Sequence, residues 1–309
     1  MIGKPMNWAA DFKIESDLAL QIIQEQFPTL QVKSFEAYGN GWDNTAFILN
    51  NTDVFRFPRR EVALAGSTTE LKVLKKLKSH LSTQIPVPLY IGTPTQQFPY
   101  QYWGYRKLPG TTACHKNLSR EDRINLVIPI AKFLKELHCI RDPEILSLLK
   151  PDPFDRFNIK TRVKMNLSLI NQLKSIDLEE NWTIIENYFK SIDETLESQD
   201  KTIVHGDLYA RHFLIDDHNL LSGVIDWGDI HYGSPAIDLE ILFDFLPKES
   251  RSIFIKEYGV VKDEVLALAQ FRSISHTLTL LQYAYLVRDT VLLNECQIGI
   301  SYIIENLEC

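Results

Sequence analysis

Between Ile203 and Asp229 the chain reads IVHGDLYARHFLIDDHNLLSGVIDWGD. No other stretch constrains the fold as much. Its apolar, partly β-branched runs are short and broken by Gly, Asp and Asn, so they read as strands and not as a helix. The run TIV ends at His205, and Gly206 permits the chain to turn there. HFLI and LSGVI flank the turn residues DDHN. A hairpin closed by that turn puts His212 and Asp226 at its open end, with Asp207 just before it at the same end. Asp207, His212 and Asp226 are therefore expected to converge. Carboxylates held close together are costly unless a cation or a proton sits between them. A magnesium ion carried by phosphates answers that need, because it takes hard oxygens and few protein ligands. Two other readings stand beside this one. The first is a hairpin with polar turn residues and no chemistry. The second is a metallohydrolase built from His205, Asp207, His212, Asp226 and His231, although these residues lack the helical spacing of a zinc site.

The rest of the sequence limits what can surround the hairpin. With 309 residues, 45% of them apolar, the chain can bury one large core or two smaller ones. No run approaches the about 18 apolar residues of a membrane span. The opening MIGKPMNWAADFKIESD has no apolar core and reads as neither a signal nor a transit peptide. Four widely spaced cysteines, Cys114, Cys139, Cys296 and Cys309, form no C-x-x-C. That predicts reduced thiols in a cytoplasmic protein. A net charge of −7 argues against nucleic acid as a partner, because nucleic acid calls for a basic stripe.

Leu18, Ile22 and Ile23 predict a helix over 12–27. VKSFEAYGNGWDNTAFILNNTDVFRFPR then alternates, with turn chemistry at YGNGWDN and NNTD. It predicts antiparallel strands near 32–38, 44–50 and 53–58. STTELKVLKKLKSHL predicts a helix over 70–81, capped from within Ser67–Thr69, with Leu71, Leu74 and Leu81 on one face. IPVPLYIGTPTQQFPYQYWGYRKLPG returns to strand and turn signals. From Ser119 the pattern is mostly helical. SREDRINLVIPIAKFLKELH carries a capping pattern and an apolar stripe. Helices are expected over 155–174, 178–198, 235–246, 249–258 and 262–306, with breaks. The expected class is α+β, with a small β-rich part, 1–107, joined near Lys107–Gly110 to a large helical part, 108–309.

VHGDLYARHFLID, GVIDWGD and GSPAIDLE, in that order, resemble the core of the aminoglycoside phosphotransferase-like kinases, relatives of the protein kinases. With VFRFPRR, the motifs are most similar to the macrolide phosphotransferases, and next to the 2″-type aminoglycoside phosphotransferases. The resemblance implies a two-lobed protein-kinase-like fold. The small lobe would have an antiparallel sheet and one key helix, and the large lobe would be mainly helical. Asp207 would be the catalytic carboxylate that orients or deprotonates the attacking hydroxyl. Asp226 would hold Mg2+ against the phosphates of ATP or GTP. His212 falls where most of the family has a metal-binding Asn, and the macrolide enzymes carry His there. His205 and Asp238 would be structural supports, Asp238 by accepting backbone N–H bonds in the catalytic loop. Ile225, just before Asp226, would lie against the nucleotide.

YGNGWDN resembles a phosphate-covering loop, in which Gly39 and Gly41 let backbone approach phosphate oxygens. The next strand should offer a cation to the phosphates. The family usually has Lys, and this chain has Arg56, which is bulkier and bidentate. Alternation puts Phe55 and Phe57 on one face and Arg56 on the other. Glu70 is the expected partner of Arg56 and Glu61 the alternative, while Arg59 and Arg60 are expected in solvent. Lys107 and Leu108 lie in the linker whose backbone would bind the base.

The acceptor hydroxyl must lie within hydrogen-bond reach of Asp207. Tyr209, Asp229 and Glu240 are the substrate candidates, with Asp244, Trp227, His231 and Tyr232 behind them. The expected function is magnesium-dependent phosphate transfer to a hydroxyl of a small molecule, foremost an aminoglycoside or a macrolide. A metabolic kinase of the choline, homoserine or sugar type is the alternative, followed by a weakly active nucleotide-binding module. No activation-loop pattern ending in Ala-Pro-Glu follows Asp226, which sets protein kinase activity aside. A monomer is the expected state.

Overall fold

The computed structural model describes residues 10–175 and 181–308. The chain divides into two units, one running up to Ser79 and from Gln84 to Leu108, the other comprising His80–Thr83 and the chain from Pro109 onward.

In the first unit α1 (Ser16–Gln26) precedes the strands β1 (Phe35–Asn40), β2 (Asn44–Leu49) and β3 (Asp53–Pro58). Then come α2 (Leu64–Leu77), β4 (Pro88–Ile91) and β5 (Trp103–Arg106). The strands form one antiparallel sheet in the order β1-β2-β3-β5-β4. Every residue of the central strand β3 is buried. Phe55 and Phe57 share one face, where Phe57 stacks on Tyr102 at 4.4 Å and Phe55 on Tyr90 at 5.2 Å. They join Ile22 and Ile23 of α1 in one core. Arg56, on the opposite face, meets α2.

Helix α2 starts six residues before the expected 70 and ends before the expected 81. The Ala-rich EVALAG segment carries the helix upstream, since Ala and Leu are strong helix formers. Ser67–Thr69 are therefore not caps. The hydroxyls of Thr68 and Thr69 donate back to the Leu64 and Ala65 carbonyls, as helix-interior residues do. Glu70 consequently sits inside a helix and is only 1% exposed.

The second unit contains β6 (Thr111–Thr112), α3 (Arg120–Asn125), α4 (Val127–Cys139), α5 (Pro143–Leu146), α6 (Ile159–Leu173) and α7 (Trp182–Ser191). It continues with β7 (Thr202–Val204), β8 (Phe213–Ile215), β9 (Leu221–Val224), β10 (His231–Gly233) and α8 (Ile241–Asp244). It ends with α9 (Arg251–Tyr258), α10 (Asp263–Val287) and α11 (Thr290–Leu307). Ser119 and Asp122 close a capping box on α3. Asn158 caps α6 by accepting the Thr161 N–H, so that helix begins at 159 and not at 155. Of the helix expected over 178–198, α7 is the helical part among the described residues, and 178–180 lie outside them. The helix expected over 235–246 is a 3₁₀ turn, Pro235–Ile237, followed by the short α8. The long helix over 262–306 breaks at Arg288, in left-handed conformation at φ 59, and Asp289 caps α11.

β8 and β9 form the hairpin, with Phe213 opposite Val224. β6 extends it, and β7 pairs separately with β10. Trp227, just past β9, is fully buried and packs edge-on against Phe133 of α4. Cys114, Cys139 and Cys296 are free thiols. Among the described residues no helix is long and apolar enough to cross a membrane.

Gly110 opens the second unit at φ +100. A Cβ there would stand 2.5 Å from Ser222 Oγ and 2.7 Å from the Ile215 carbonyl oxygen. Gly110→Ala should lower stability by about 1–3 kcal/mol, the cost of strained backbone. Thermal denaturation followed by circular dichroism reads this, and an unchanged melting temperature would refute the steric argument.

Candidate active site

The loop between β7 and β8 is fastened from below by one carboxylate. Asp238, fully buried, accepts the N–H of His205 at 2.7 Å and that of Gly206 at 2.8 Å. Its third partner is His138 of α4, at 3.1 Å. Burial alone would raise the Asp238 pKa. The bond from His138, the two histidines and the Gly206 N–H together bring it below the carboxylate norm. Gly206 adopts φ +88, and a Cβ on it would lie 2.4 Å from the Asp229 carbonyl oxygen, so glycine is required twice over. The His205 ring accepts the Asp207 N–H through Nδ1 at 3.3 Å and donates from Nε2 to the Ile225 carbonyl at 3.0 Å. That is the pattern of a neutral imidazole, and burial lowers its pKa accordingly.

This loop presents Asp207, whose side chain is 30% exposed. His276 of α10 sets its Nε2 3.2 Å from Asp207 Oδ1 and its Nδ1 2.9 Å from Oε1 of the fully buried Glu240. His212 sets its Nδ1 3.7 Å from Asp207 Oδ2 and 2.5 Å from the Asp207 carbonyl oxygen. Its Nε2 stands 3.4 Å from Asp226 Oδ2. Asp207, His212 and Asp226 thus meet at the open end of the hairpin. Burial pushes the Asp207 pKa up. The bond and charge of His276, with His212 and Arg272, more than reverse this and hold it far below the usual carboxylate range. Burial and Arg272 disfavour charge on His276, but Glu240 and Asp207 outweigh them, and its pKa is raised. Both ring nitrogens of His276 thus face carboxylates, an arrangement that favours the imidazolium.

Asp226 lies at φ +64, a left-handed conformation uncommon for a residue with a side chain, and its carboxylate is 46% exposed. Among the described residues no group of three or more His, Cys, Asp or Glu could hold a metal by itself. A single accessible carboxylate beside an imidazole suits a cation that brings phosphate and water oxygens with it, as Mg2+ does. Burial lowers the His212 pKa, but its bond to Asp226 and the nearby carboxylate charges raise it on balance. His212 becomes a nitrogen ligand only by giving up its Nε2 proton.

The acceptor candidates part company here. The Tyr209 ring lies between His212 and His276, at 4.4 and 5.3 Å. Asp229 is ion-paired with Arg156, which also binds Asp152 at 2.6 Å. Glu240 cannot be a substrate contact, because it is fully enclosed between His276 and Arg272. Trp227 and His231 are likewise buried, and Tyr232 is exposed. Ile225 is tied through its backbone, N–H to the His212 carbonyl and carbonyl to His205.

In the first unit Arg56 Nη1 bonds Glu70 Oε1 at 2.5 Å, and its guanidinium lies 5.1 Å from the centre of the Trp103 ring. Gly39 sits in β1 beside a bulge, where a Cβ would meet nothing within 4 Å. Gly41 gives its N–H to the Asn44 carbonyl at 2.9 Å. Arg59 and Arg60, expected in solvent, are only partly exposed. Arg59 donates to the Gly41 carbonyl at 2.7 Å and Arg60 Nε to Asp43 at 2.8 Å, so both fasten the β1–β2 turn. The Lys107 N–H is taken by the Thr52 carbonyl, its ammonium lies over Tyr38, and Leu108 is half-buried.

A model of the phosphotransferase enzyme family, APH, matches residues 34–268. The chain belongs to this family of phosphotransferases. The uncharacterized protein YcbJ of Bacillus subtilis (strain 168) is 22% identical over 219 residues, a match covering 66% of this chain. The chain spans 66% of that relative's length. Among solved structures, the GDP complex of aminoglycoside 2′-phosphotransferase-IIIa superposes with TM-score 0.70 at 22% identity, covering 95% of this chain and 99% of that one. The GDP and kanamycin complex of APH(2″)-IIIa gives 0.67 at 22% identity, covering 93% and 98%. The macrolide 2′-phosphotransferase MphH from Brachybacterium faecium gives 0.64 at 16% identity, covering 92% and 98%. The APH fold, α+β and protein-kinase-like, is shared with all three.

Sequence reasoning missed the layer behind the APH hairpin, namely His276, Arg272, Arg156 and His138. A signal was present. FRSISHT interrupts the otherwise apolar α10, and a polar stripe in a helix that is apolar on most sides marks a buried network.

The His276 shift has a pH consequence. Its pKa is raised in the folded chain, so its contribution to stability is complete below about 6.5, the ordinary imidazole value. The contribution is lost as pH rises through the raised value. Asp207, shifted down, stays ionised over that whole window. Thermal melts from pH 6 to pH 9 should show the wild type losing more stability than His276→Gln as pH rises. Parallel profiles would contradict the imidazolium assignment.

Proposed function

We propose that the protein transfers the terminal phosphate of ATP or GTP, with magnesium, to a hydroxyl of a small molecule. One observation carries the reading: Asp207 and Asp226 stand at the open end of one hairpin, against opposite nitrogens of His212. The acceptor hydroxyl donates to Asp207, which is already turned and held by His276. A carboxylate of such low pKa is a weak base. It aims the hydroxyl oxygen and takes the proton only as the new O–P bond forms. Asp226, with His212 beside it, would hold Mg2+, which when bound neutralises phosphate charge. Arg56, kept in place by Glu70 and Trp103, supplies a fixed cation for the phosphates. Gly39, with open space where a Cβ would stand, is the better candidate for close approach of backbone to phosphate, since Gly41 gives its N–H to Asn44. In the first unit Lys107 and Leu108 are the candidates for the base; in the second, Ile225, whose backbone N–H and carbonyl are both taken, offers only its side chain.

Antibiotic acceptors enter this reading through the aminoglycoside and macrolide phosphotransferases that share the fold. A polycationic aminoglycoside needs carboxylates free to receive it. Asp229 pairs with Arg156, and Glu240 is enclosed with His276 and Arg272. This charge balance favours an acceptor that is not a polycation, either a macrolide-type compound or a metabolite.

Incubation with ATP or GTP and magnesium across macrolides, aminoglycosides, choline, homoserine and sugars, read by mass spectrometry, tests the reaction. A gain of one phosphoryl group on one acceptor class is expected. Asp207→Asn should lower turnover by about 10²–10⁴-fold with nucleotide affinity kept. Asp226→Ala should instead weaken magnesium-nucleotide binding. Normal turnover in the first variant, or normal nucleotide affinity in the second, would overturn the assigned roles.

A further inference from the structure

We infer that Arg272 and Arg162 form a subsite for an anionic group, a carboxylate or a phosphate, carried by the hydroxyl compound that Asp207 receives. This rests on the kinase reading above.

The two arginines are brought together by helix register. Asn166 of α6 donates to Ser275 of α10 at 2.7 Å, and Gln282 of α10 donates to Gln172 of α6 at 2.9 Å. Both contacts advance along the two helices together, so α6 and α10 run the same way. One turn back from the Asn166–Ser275 bond come Arg162, four residues before Asn166, and Arg272, three before Ser275. Residues at those spacings share a helix face. Each arginine therefore lies at the same level of the α6–α10 seam.

Their partners set them apart from every other cation near Asp207. Arg156 has Asp152 and Asp229. His276 has Asp207 and Glu240. Arg272 is only 9% exposed, yet it donates no hydrogen bond among the described residues. Its ion-pair contact is Glu240 Oε2, 3.2 Å from Nε and outside hydrogen-bond geometry. The fork of its terminal nitrogens is left over. Arg162 donates only to backbone carbonyls, those of Phe154 and Asp155. Burial, then the charges of Arg272 and Arg156, lower the Arg162 pKa, as they must for like charges at close quarters.

Adjacent guanidiniums in a half-buried site repel unless an anion lies between them, and the guanidinium fork matches carboxylate and phosphate oxygens. Arg272 is one helical turn from His276, which holds Asp207. Side chains one turn apart are about 5–6 Å apart at their Cβ atoms. The geometry therefore fits a short acceptor whose hydroxyl and anion are a few atoms apart, such as a small hydroxy acid or a phosphorylated polyol.

The test is isothermal titration of the full chain with glycerol, D-glycerate and glycerol 3-phosphate. It is run without nucleotide, and again with magnesium and AMP-PNP or GMP-PNP filling the nucleotide site. One or both anions should bind and glycerol should not, and the better anion distinguishes carboxylate from phosphate. Arg272→Gln and Arg162→Gln should each weaken anion binding by at least about tenfold, as loss of a charge-assisted bond does, with Arg272→Lys recovering part of it. Equal binding of glycerol and the anions, no anion binding by the wild type, or unchanged affinity in both Gln variants overturns the proposal. Should Arg272→Gln fail to fold, Arg162→Gln, on a half-exposed side chain, decides alone. Failure of the kinase reading shows separately, as absent nucleotide binding and absent phosphoryl product, while the titration without nucleotide still reports on the arginines.

Discussion

Asp238 fastens the loop between β7 and β8. A buried carboxylate without partners would be strongly destabilising. Here its oxygens are taken by two consecutive backbone N–H groups and a histidine on α4. The same contact sets the path of His205 and Gly206, and so aims Asp207. It also places His205 to bond the Ile225 carbonyl, linking the loop to the strand that ends in Asp226. The two carboxylates assigned to chemistry are thus positioned by a third that takes no part in it.

The second layer is electrostatic. His276 stands between Asp207 and Glu240, and His212 between Asp207 and Asp226, so carboxylates alternate with imidazoles. Alternation lessens the repulsion among carboxylates crowded at a hairpin end. It leaves Asp207 a poor base in the resting site, which suits a reaction in which positioning and charge stabilisation outweigh early proton removal. In the first unit the Arg56 guanidinium fills the space between Glu70 and the Trp103 ring, combining an ion pair with a cation–π contact.

The hairpin was legible because its information is local. A period of two, a polar turn and acids next to the strand ends fix which side chains meet. Phe55–Arg56–Phe57 was legible for the same reason, as strand alternation assigns faces without tertiary knowledge. Glu240 was misread as a substrate contact because no local rule shows that α10, more than thirty residues later, returns Arg272 and His276 to enclose it. Ser67–Thr69 resembled a cap, yet the helix-forming residues upstream prevailed and turned the hydroxyls inward along α2. Arg59 and Arg60 looked like surface charges until the β1–β2 turn folded back over them.

The position of the metal is the most direct measurement. Crystals grown with a non-hydrolysable nucleotide and Mn2+ in place of Mg2+ would locate it by anomalous scattering. The expected peak lies about 2 Å from an Asp226 oxygen, with the terminal phosphate placed so that a hydroxyl bound to Asp207 can reach it in line. A metal that does not touch Asp226, or a terminal phosphate out of reach of any hydroxyl bound to Asp207, would contradict the assignment of the hairpin as the phosphoryl-transfer site.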